Sequence, residues 1–193
     1  MAPVSSLSVL YPVDRNAWRN WLEQHHATER EIWIQTYRKA TGKPSISYDV
    51  LVEECLCFGW IDGVVKKYDE ESTIQRITPR RKKTYLSELN RQRIWKLQRL
   101  GLMTPAGIVP VAHQIGTPAD PFDIPAWILE TLQSDADLWK NFQSFPPLYQ
   151  RLRISWIAEV KGERRQPEAQ KRLNYFVKMT RLGKQYGTVP EVW

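Results

Sequence analysis

The chain has 193 residues, of which 42% are hydrophobic and 25% charged, a composition that excludes wholesale disorder. Its length suits one large domain, or a compact domain with a smaller partner. Residues 80–99 hold eight of the 28 basic and one of the 21 acidic residues, so the rest carries 20 of each and is formally neutral. The net charge of +7 therefore lies in one region, which favours an anionic partner such as phosphate, nucleic acid, an acidic protein or lipid head groups.

The sequence also predicts the cellular compartment of the protein and the absence of a membrane span, a metal and a cofactor. Cys55 and Cys57 are too close in the sequence for a mutual disulfide, which favours a reducing compartment. We find no signal-peptide pattern and no apolar run of about 18 residues, so we expect a cytoplasmic protein without a membrane span. No zinc-site spacing and no glycine-rich nucleotide motif occurs, so we expect neither a metal nor a cofactor.

The first 79 residues alternate between strand and helix patterns. Helices are predicted to begin at the N-cap candidate Asp14 and at either Ser47 or Asp49. The second of these helices is expected to end at Gly59. Strand patterns fall at residues 7–11, 31–37, 60–68 and 73–78. The last two strands flank a polar turn and predict a β-hairpin that ends at a proline.

The rest of the chain is predicted to be helical. Ser87 is an N-cap candidate for a basic helix, and a short helix is expected from residue 104 to about 116. Four further helices follow, and in the third of them Leu148, Leu152 and Trp156 have the spacing of one apolar face. We therefore predict an α+β fold with a small, mainly antiparallel sheet. Its expected parts are an α+β domain at 1–115, a proline-rich connection at 116–125 and a helical region at 126–193.

The hairpin carries the most distinctive polar residues. Asp62 lies in an apolar run, where a carboxylate must be hydrogen-bonded, paired or exposed. One interpretation is an ion pair between Asp62 and Arg76 that clamps the two strands. The other is a cleft, walled by Trp60, in which Asp62 positions Arg76 or Arg80 for an anion, because an arginine fork binds carboxylate or phosphate in a bidentate manner.

A second candidate is a basic surface that follows the hairpin. Short basic runs are commonly solvated loops, but here the next helix is basic as well and begins at Ser87. Such a surface is suited to nucleic acid through its charge, although no named nucleic-acid motif accompanies it. Beyond Arg80 and Arg81, its residues are Lys82, Lys83, Arg91, Arg93, Lys96 and Arg99.

The ordered motifs of this region resemble one family. They read FGWIDG at 58–63, QRITPRR at 75–81, Ser87 with Asn90, and GLMTPAG at 101–107. Together they are similar to the YdeI/OmpD-associated (OmdA) family of bacteriocin-protection proteins, over residues 13–183. The resemblance implies a role in protection or envelope stress and supplies no reaction.

These observations favour a non-catalytic protection-type protein that binds an anionic ligand or an acidic partner at the hairpin. One alternative is a nucleic-acid-binding module that uses residues 80–99. Another is a small-molecule enzyme with Asp62 as base and two arginines as anion stabilisers. The sequence does not indicate the ligand or the oligomeric state. The candidate ligand-binding residues are Trp60, Asp62, Arg76, Thr78, Arg80, Arg81 and Asn90.

Overall fold

The computed structural model describes residues 8–160, 162, 165–187 and 189. It confirms the predicted α+β class with a helical C-terminal region. The described residues divide into two compact units, one with residues 8–86 and 93–116, the other with residues 87–92 and the described residues from 117 onward. The sequence places all residues up to 115 in the first region, whereas residues 87–92 cluster with the second unit.

The first unit contains a four-stranded mixed sheet in the order β1-β2-β4-β3. The pairing of β1 with β2 is parallel and the other two are antiparallel, so the sheet is mainly antiparallel as predicted. In its register Trp33 lies opposite Arg76, and Asp62 lies opposite Ile77. The strands are β1 (Val9–Leu10), β2 (Ile32–Tyr37), β3 (Trp60–Lys67) and β4 (Ser72–Pro79).

Hydrogen bonds from backbone N–H groups confirm the predicted helix starts. Asp14 accepts from Ala17 N at 2.8 Å, and Ser47 accepts from Val50 N at 3.4 Å. The prediction of one helix at 104–116 is wrong, because this segment forms two short helices. Pro110 lies between them and has no backbone N–H to continue the helical hydrogen bonds. The helices are α1 (Arg15–His25), α2 (Tyr48–Cys57), α3 (Glu88–Arg99), α4 (Pro105–Ile108) and α5 (Ala112–Ile115), with a 3₁₀ turn at Lys39–Thr41.

The backbone at the end of α2 lies very close to α4. The Thr104 hydroxyl donates to the Cys57 carbonyl at 2.6 Å. A Cβ added to Gly107 would lie 2.3 Å from the same carbonyl oxygen, and one added to Gly59 would lie 2.3 Å from the Ala106 carbonyl oxygen. Gly59 of the 58–63 motif and Gly107 of the 101–107 motif therefore allow two backbone segments to approach, which is a folding role.

The second unit packs four helices around an aromatic core that includes Phe142, Tyr149 and Phe176. The predicted apolar face of its third helix is right for Leu152, which is buried, and wrong for Trp156. Trp156 is 38% exposed, with the Arg172 guanidinium 4.2 Å from its ring centroid. Tyr149, Ile154 and Ile157 are the other buried residues of the helix. These helices are α6 (Ala126–Gln133), α7 (Ala136–Ser144), α8 (Pro147–Ala158) and α9 (Gln166–Arg181). Across the described residues of both units, no helix has the length and apolar character needed to cross a membrane.

Candidate functional site: an arginine-lined cleft

A cleft of about 350 Å³ lies at the end of β4 in the first unit. Most of its lining comes from β4 and the residues just after it, and the rest comes from the segment before β2, the strand that pairs with β4. None of the lining residues is acidic. The arginine cleft, as we call it, is lined by Arg30, Arg76, Thr78, Pro79, Arg80 and Arg81.

Arg80 is the buried member of the cleft, with 7% of its surface exposed. Its Nη1 donates to the Tyr85 carbonyl at 3.2 Å, but its buried Nε has no hydrogen-bond partner. Among the described residues, no carboxylate oxygen lies within the 4.0 Å of a salt bridge to it. Burial lowers the pKa of Arg80, and an arginine remains protonated in proteins. A buried cation without a paired anion is costly, and such groups concentrate at functional sites.

Arg76 is held by a different carboxylate from the one predicted. Its Nε donates to Glu31 Oε2 at 2.6 Å, and its Nη2 contacts the same oxygen. The other Glu31 oxygen accepts from Trp33 Nε1 at 2.7 Å. The hydrogen bond from Arg76 lowers the pKa of Glu31, which keeps the carboxylate ionised. Glu31 therefore fixes the Arg76 fork at the cleft.

The predicted ion pair between Asp62 and Arg76 is wrong. Asp62 Oδ2 instead accepts from the Tyr48 hydroxyl at 2.9 Å and from Gln75 Nε2 at 3.0 Å. The reason is strand alternation, because Asp62 pairs with Ile77 and successive side chains of a strand point to opposite faces. Asp62 does not line the arginine cleft, so the single pocket that the enzyme alternative requires is not formed there.

The cleft thus brings together four of the seven candidate ligand-binding residues: Arg76, Thr78, Arg80 and Arg81. Trp60 is 1% exposed and donates from its indole N–H to the His26 carbonyl at 3.3 Å, so it is a core residue. Asn90 belongs to the second unit, where its backbone N–H donates to Ser87 Oγ at 3.3 Å and helps to begin α3.

Sequence reasoning missed two residues of this site, Arg30 and Glu31. Both directly precede β2. Their position supplies a signal, because a charged pair at the start of a strand meets the end of an antiparallel neighbour. Here that neighbour is β4, which carries Arg76. The signal becomes useful only once the strand order is known.

The predicted basic surface is partly neutralised by acidic side chains. Arg93 is only 5% exposed and pairs with Asp49, which corrects its assignment to a surface. Lys96 Nζ lies 3.1 Å from Glu53 Oε1. Arg91 likewise pairs with an acidic residue, whereas Lys82, Lys83 and Arg99 are exposed. Three of the six residues are therefore paired with carboxylates.

Comparisons with known proteins divide the chain into two matched regions. Residues 121–183 match the family described as "Bacteriocin-protection, YdeI or OmpD-Associated" (OmdA), which confirms the predicted resemblance. Residues 10–109, which contain the motifs of the hairpin region, match a different family. Searches of curated proteins and of solved structures found no match. Since the match at residues 10–109 covers more than half of the chain, the chain belongs to the family described as "Domain of unknown function (DUF8412)", with an OmdA region after it.

Proposed function

We propose that this chain is a non-catalytic binding protein that holds an anionic ligand in the arginine cleft. The OmdA description supports a protection-type role at most. The observation that carries the proposal is Arg80, a residue with 7% of its surface exposed that lines the cleft and whose buried Nε has no hydrogen-bond partner. Two free cysteines, Cys55 and Cys57, support a reducing compartment, and we place the protein in the cytoplasm.

The burial of Arg80 supports binding rather than a structural role. A structural buried arginine normally has a carboxylate partner, because an uncompensated buried charge costs several kcal/mol in free energy of folding. An anion in the cleft would supply that missing partner. Charge-assisted hydrogen bonds from a guanidinium are among the strongest that proteins form.

The other arginines support capture of the anion from solvent. Arg30 and Arg81 are exposed, and neither forms an ion pair with any described residue. Arg76 is already ordered by Glu31, so little conformational entropy is lost when it binds. The site therefore combines a buried arginine, a second arginine ordered by Glu31 and two exposed arginines.

Calorimetric titration with inorganic diphosphate at low ionic strength tests the proposal. We compare the wild type with the double variant Arg30→Ala/Arg81→Ala, which changes only exposed residues. Losing two charge-assisted contacts of about 1.5–3 kcal/mol each predicts affinity at least about tenfold weaker. Arg38→Ala removes an exposed arginine outside the cleft and serves as the control, with affinity unchanged.

Two outcomes would overturn the proposal. In the first, the wild type releases no heat with phosphate, diphosphate, triphosphate or citrate. In the second, the double variant binds diphosphate as tightly as the Arg38→Ala control, which would place the bound anion outside the cleft.

A further inference from the structure

The charge balance of the arginine cleft indicates a class of ligand. Three of its four arginines have no carboxylate within 4.0 Å among the described residues: Arg30, Arg80 and Arg81. Among the four, Arg76 forms an ion pair with a described residue, Glu31. A monoanion would leave at least two like charges facing each other in about 350 Å³. We infer that the ligand is a compact polyphosphate, with two or three linked phosphate groups, an inference that rests on the proposed anion site.

The donors of the cleft fit phosphate better than carboxylate. Each guanidinium offers N–H donors in a planar fork, and Thr78 adds a hydroxyl. These donors come from both sides of the cleft, from the segment before β2 and from β4 and the residues after it. A phosphate group presents oxygens in several directions and can accept from several forks at once, whereas a carboxylate is planar.

The cleft offers no aromatic surface for a base. None of its lining residues is aromatic. Trp33, which lies opposite Arg76 in the sheet, is 4% exposed and has the Lys66 ammonium 4.7 Å from its ring centroid. Single-stranded nucleic acids and nucleobases are bound largely by stacking on exposed aromatic rings. The site therefore recognises the phosphate chain rather than an attached base.

The size of the cleft favours a small ligand as well. Ligand pockets commonly enclose about 300–1,000 Å³, and this cleft lies at the lower end of that range. The basic residues that follow it in sequence are partly paired with acids, as Arg93 is with Asp49, so the positive charge does not continue as a track for a nucleic-acid backbone.

The experiment is a series of calorimetric titrations at one ionic strength without divalent cations. The probes are inorganic phosphate, diphosphate, triphosphate, citrate and a single-stranded DNA oligonucleotide. We expect triphosphate to bind at least about tenfold more tightly than phosphate, citrate or the oligonucleotide, since its linked phosphate groups can accept from several arginine forks at once. In Arg30→Ala/Arg81→Ala, the advantage of triphosphate over phosphate should fall to less than about threefold.

Each contrary result has its own meaning. If phosphate binds as tightly as triphosphate, the polyphosphate inference fails and the anion site stands. If citrate or the oligonucleotide equals triphosphate, the inference also fails, and the ligand is a polycarboxylate or a nucleic acid. If none of the probes binds, the proposed function and the polyphosphate inference both fail.

Discussion

Glu31 and Arg76 form an ion pair between the start of β2 and the middle of β4, with Arg76 Nε donating to Glu31 Oε2 at 2.6 Å. The second Glu31 oxygen accepts from Trp33 Nε1. The carboxylate is thus fixed from two sides, and it fixes Arg76 in turn. One side chain therefore links the packing of β2 to the geometry of the arginine cleft.

This pair predicts a pH-dependent contribution to stability. The pKa of Glu31 lies below its ordinary value of 4.5 because Arg76 donates to the carboxylate. The stabilisation is therefore present above the unfolded-state pKa and is lost as the pH falls through the folded-state pKa. Both side chains are partly exposed, so we expect less than about 1 kcal/mol.

Urea denaturation of the wild type and Glu31→Gln checks this prediction. The wild type should be the more stable at pH 7, and the difference should be smaller at about pH 3, because protonation of the Glu31 carboxylate removes the ion pair. Glu29→Gln changes an exposed neighbour that forms no ion pair with the described residues, and it should have no effect at either pH. An unchanged difference at the two pH values would show that the ion pair is not its source.

The helix and strand boundaries were largely predictable, because they depend on neighbouring residues. Asp14, Ser47 and Ser87 each accept a hydrogen bond from the backbone three residues ahead, a local pattern that the sequence displays. The hairpin is also local, since its strands β3 and β4 adjoin a polar turn. Trp156 shows the limit, since it shares its spacing with the buried Leu152 but is 38% exposed and is contacted by a charged side chain, Arg172 of α9.

The site was only partly predictable, because its partners are distant in sequence. Glu31 and Arg76 are 45 residues apart, and only the strand order brings them together. The burial of Arg80 is also a consequence of the fold. The backbone N–H of Arg80 donates to the Gly59 carbonyl at 2.8 Å, which holds the chain against the sheet after Pro79. The next residue, Arg81, is exposed. A run of basic residues in the sequence does not reveal which of them is buried.

A second prediction concerns the close approach of α2 and α4. Gly107→Ala should destabilise the first unit strongly, because the new Cβ would lie 2.3 Å from the Cys57 carbonyl oxygen and 2.5 Å from that of Leu56. Overpacking against backbone costs about 1–3 kcal/mol or more. The measurement is the urea midpoint. Gly63→Ala is the control, since Gly63, like Gly107, has no positive φ, and the nearest atom to its added Cβ beyond the chain neighbours would be the Arg76 carbonyl oxygen at 3.3 Å. It should destabilise less than Gly107→Ala, and equal effects of the two substitutions would contradict the close contact.

A third prediction concerns Glu54, which is fully buried in α2. Its two oxygens accept from Arg15 at 2.7 Å and from Arg19 at 2.9 Å. Arg15→Met/Arg19→Met should destabilise the protein by about 3–5 kcal/mol, because a buried carboxylate loses both partners. Adding Glu54→Gln should restore part of the loss, with a coupling energy of about 1–3 kcal/mol in the unfolding cycle. Strict additivity of the three substitutions would show that the charges do not act together.

The most direct test of the proposed anion site is a paired assay of Arg80→Met, by thermal melting and by calorimetric titration with inorganic diphosphate. Methionine keeps the apolar stem and removes a buried charge without a carboxylate partner. We predict an unchanged or higher Tm together with affinity weakened at least about tenfold. A Tm that falls by several degrees, or diphosphate binding that persists at wild-type strength, would contradict the claim that Arg80 is the anchor of an anion site.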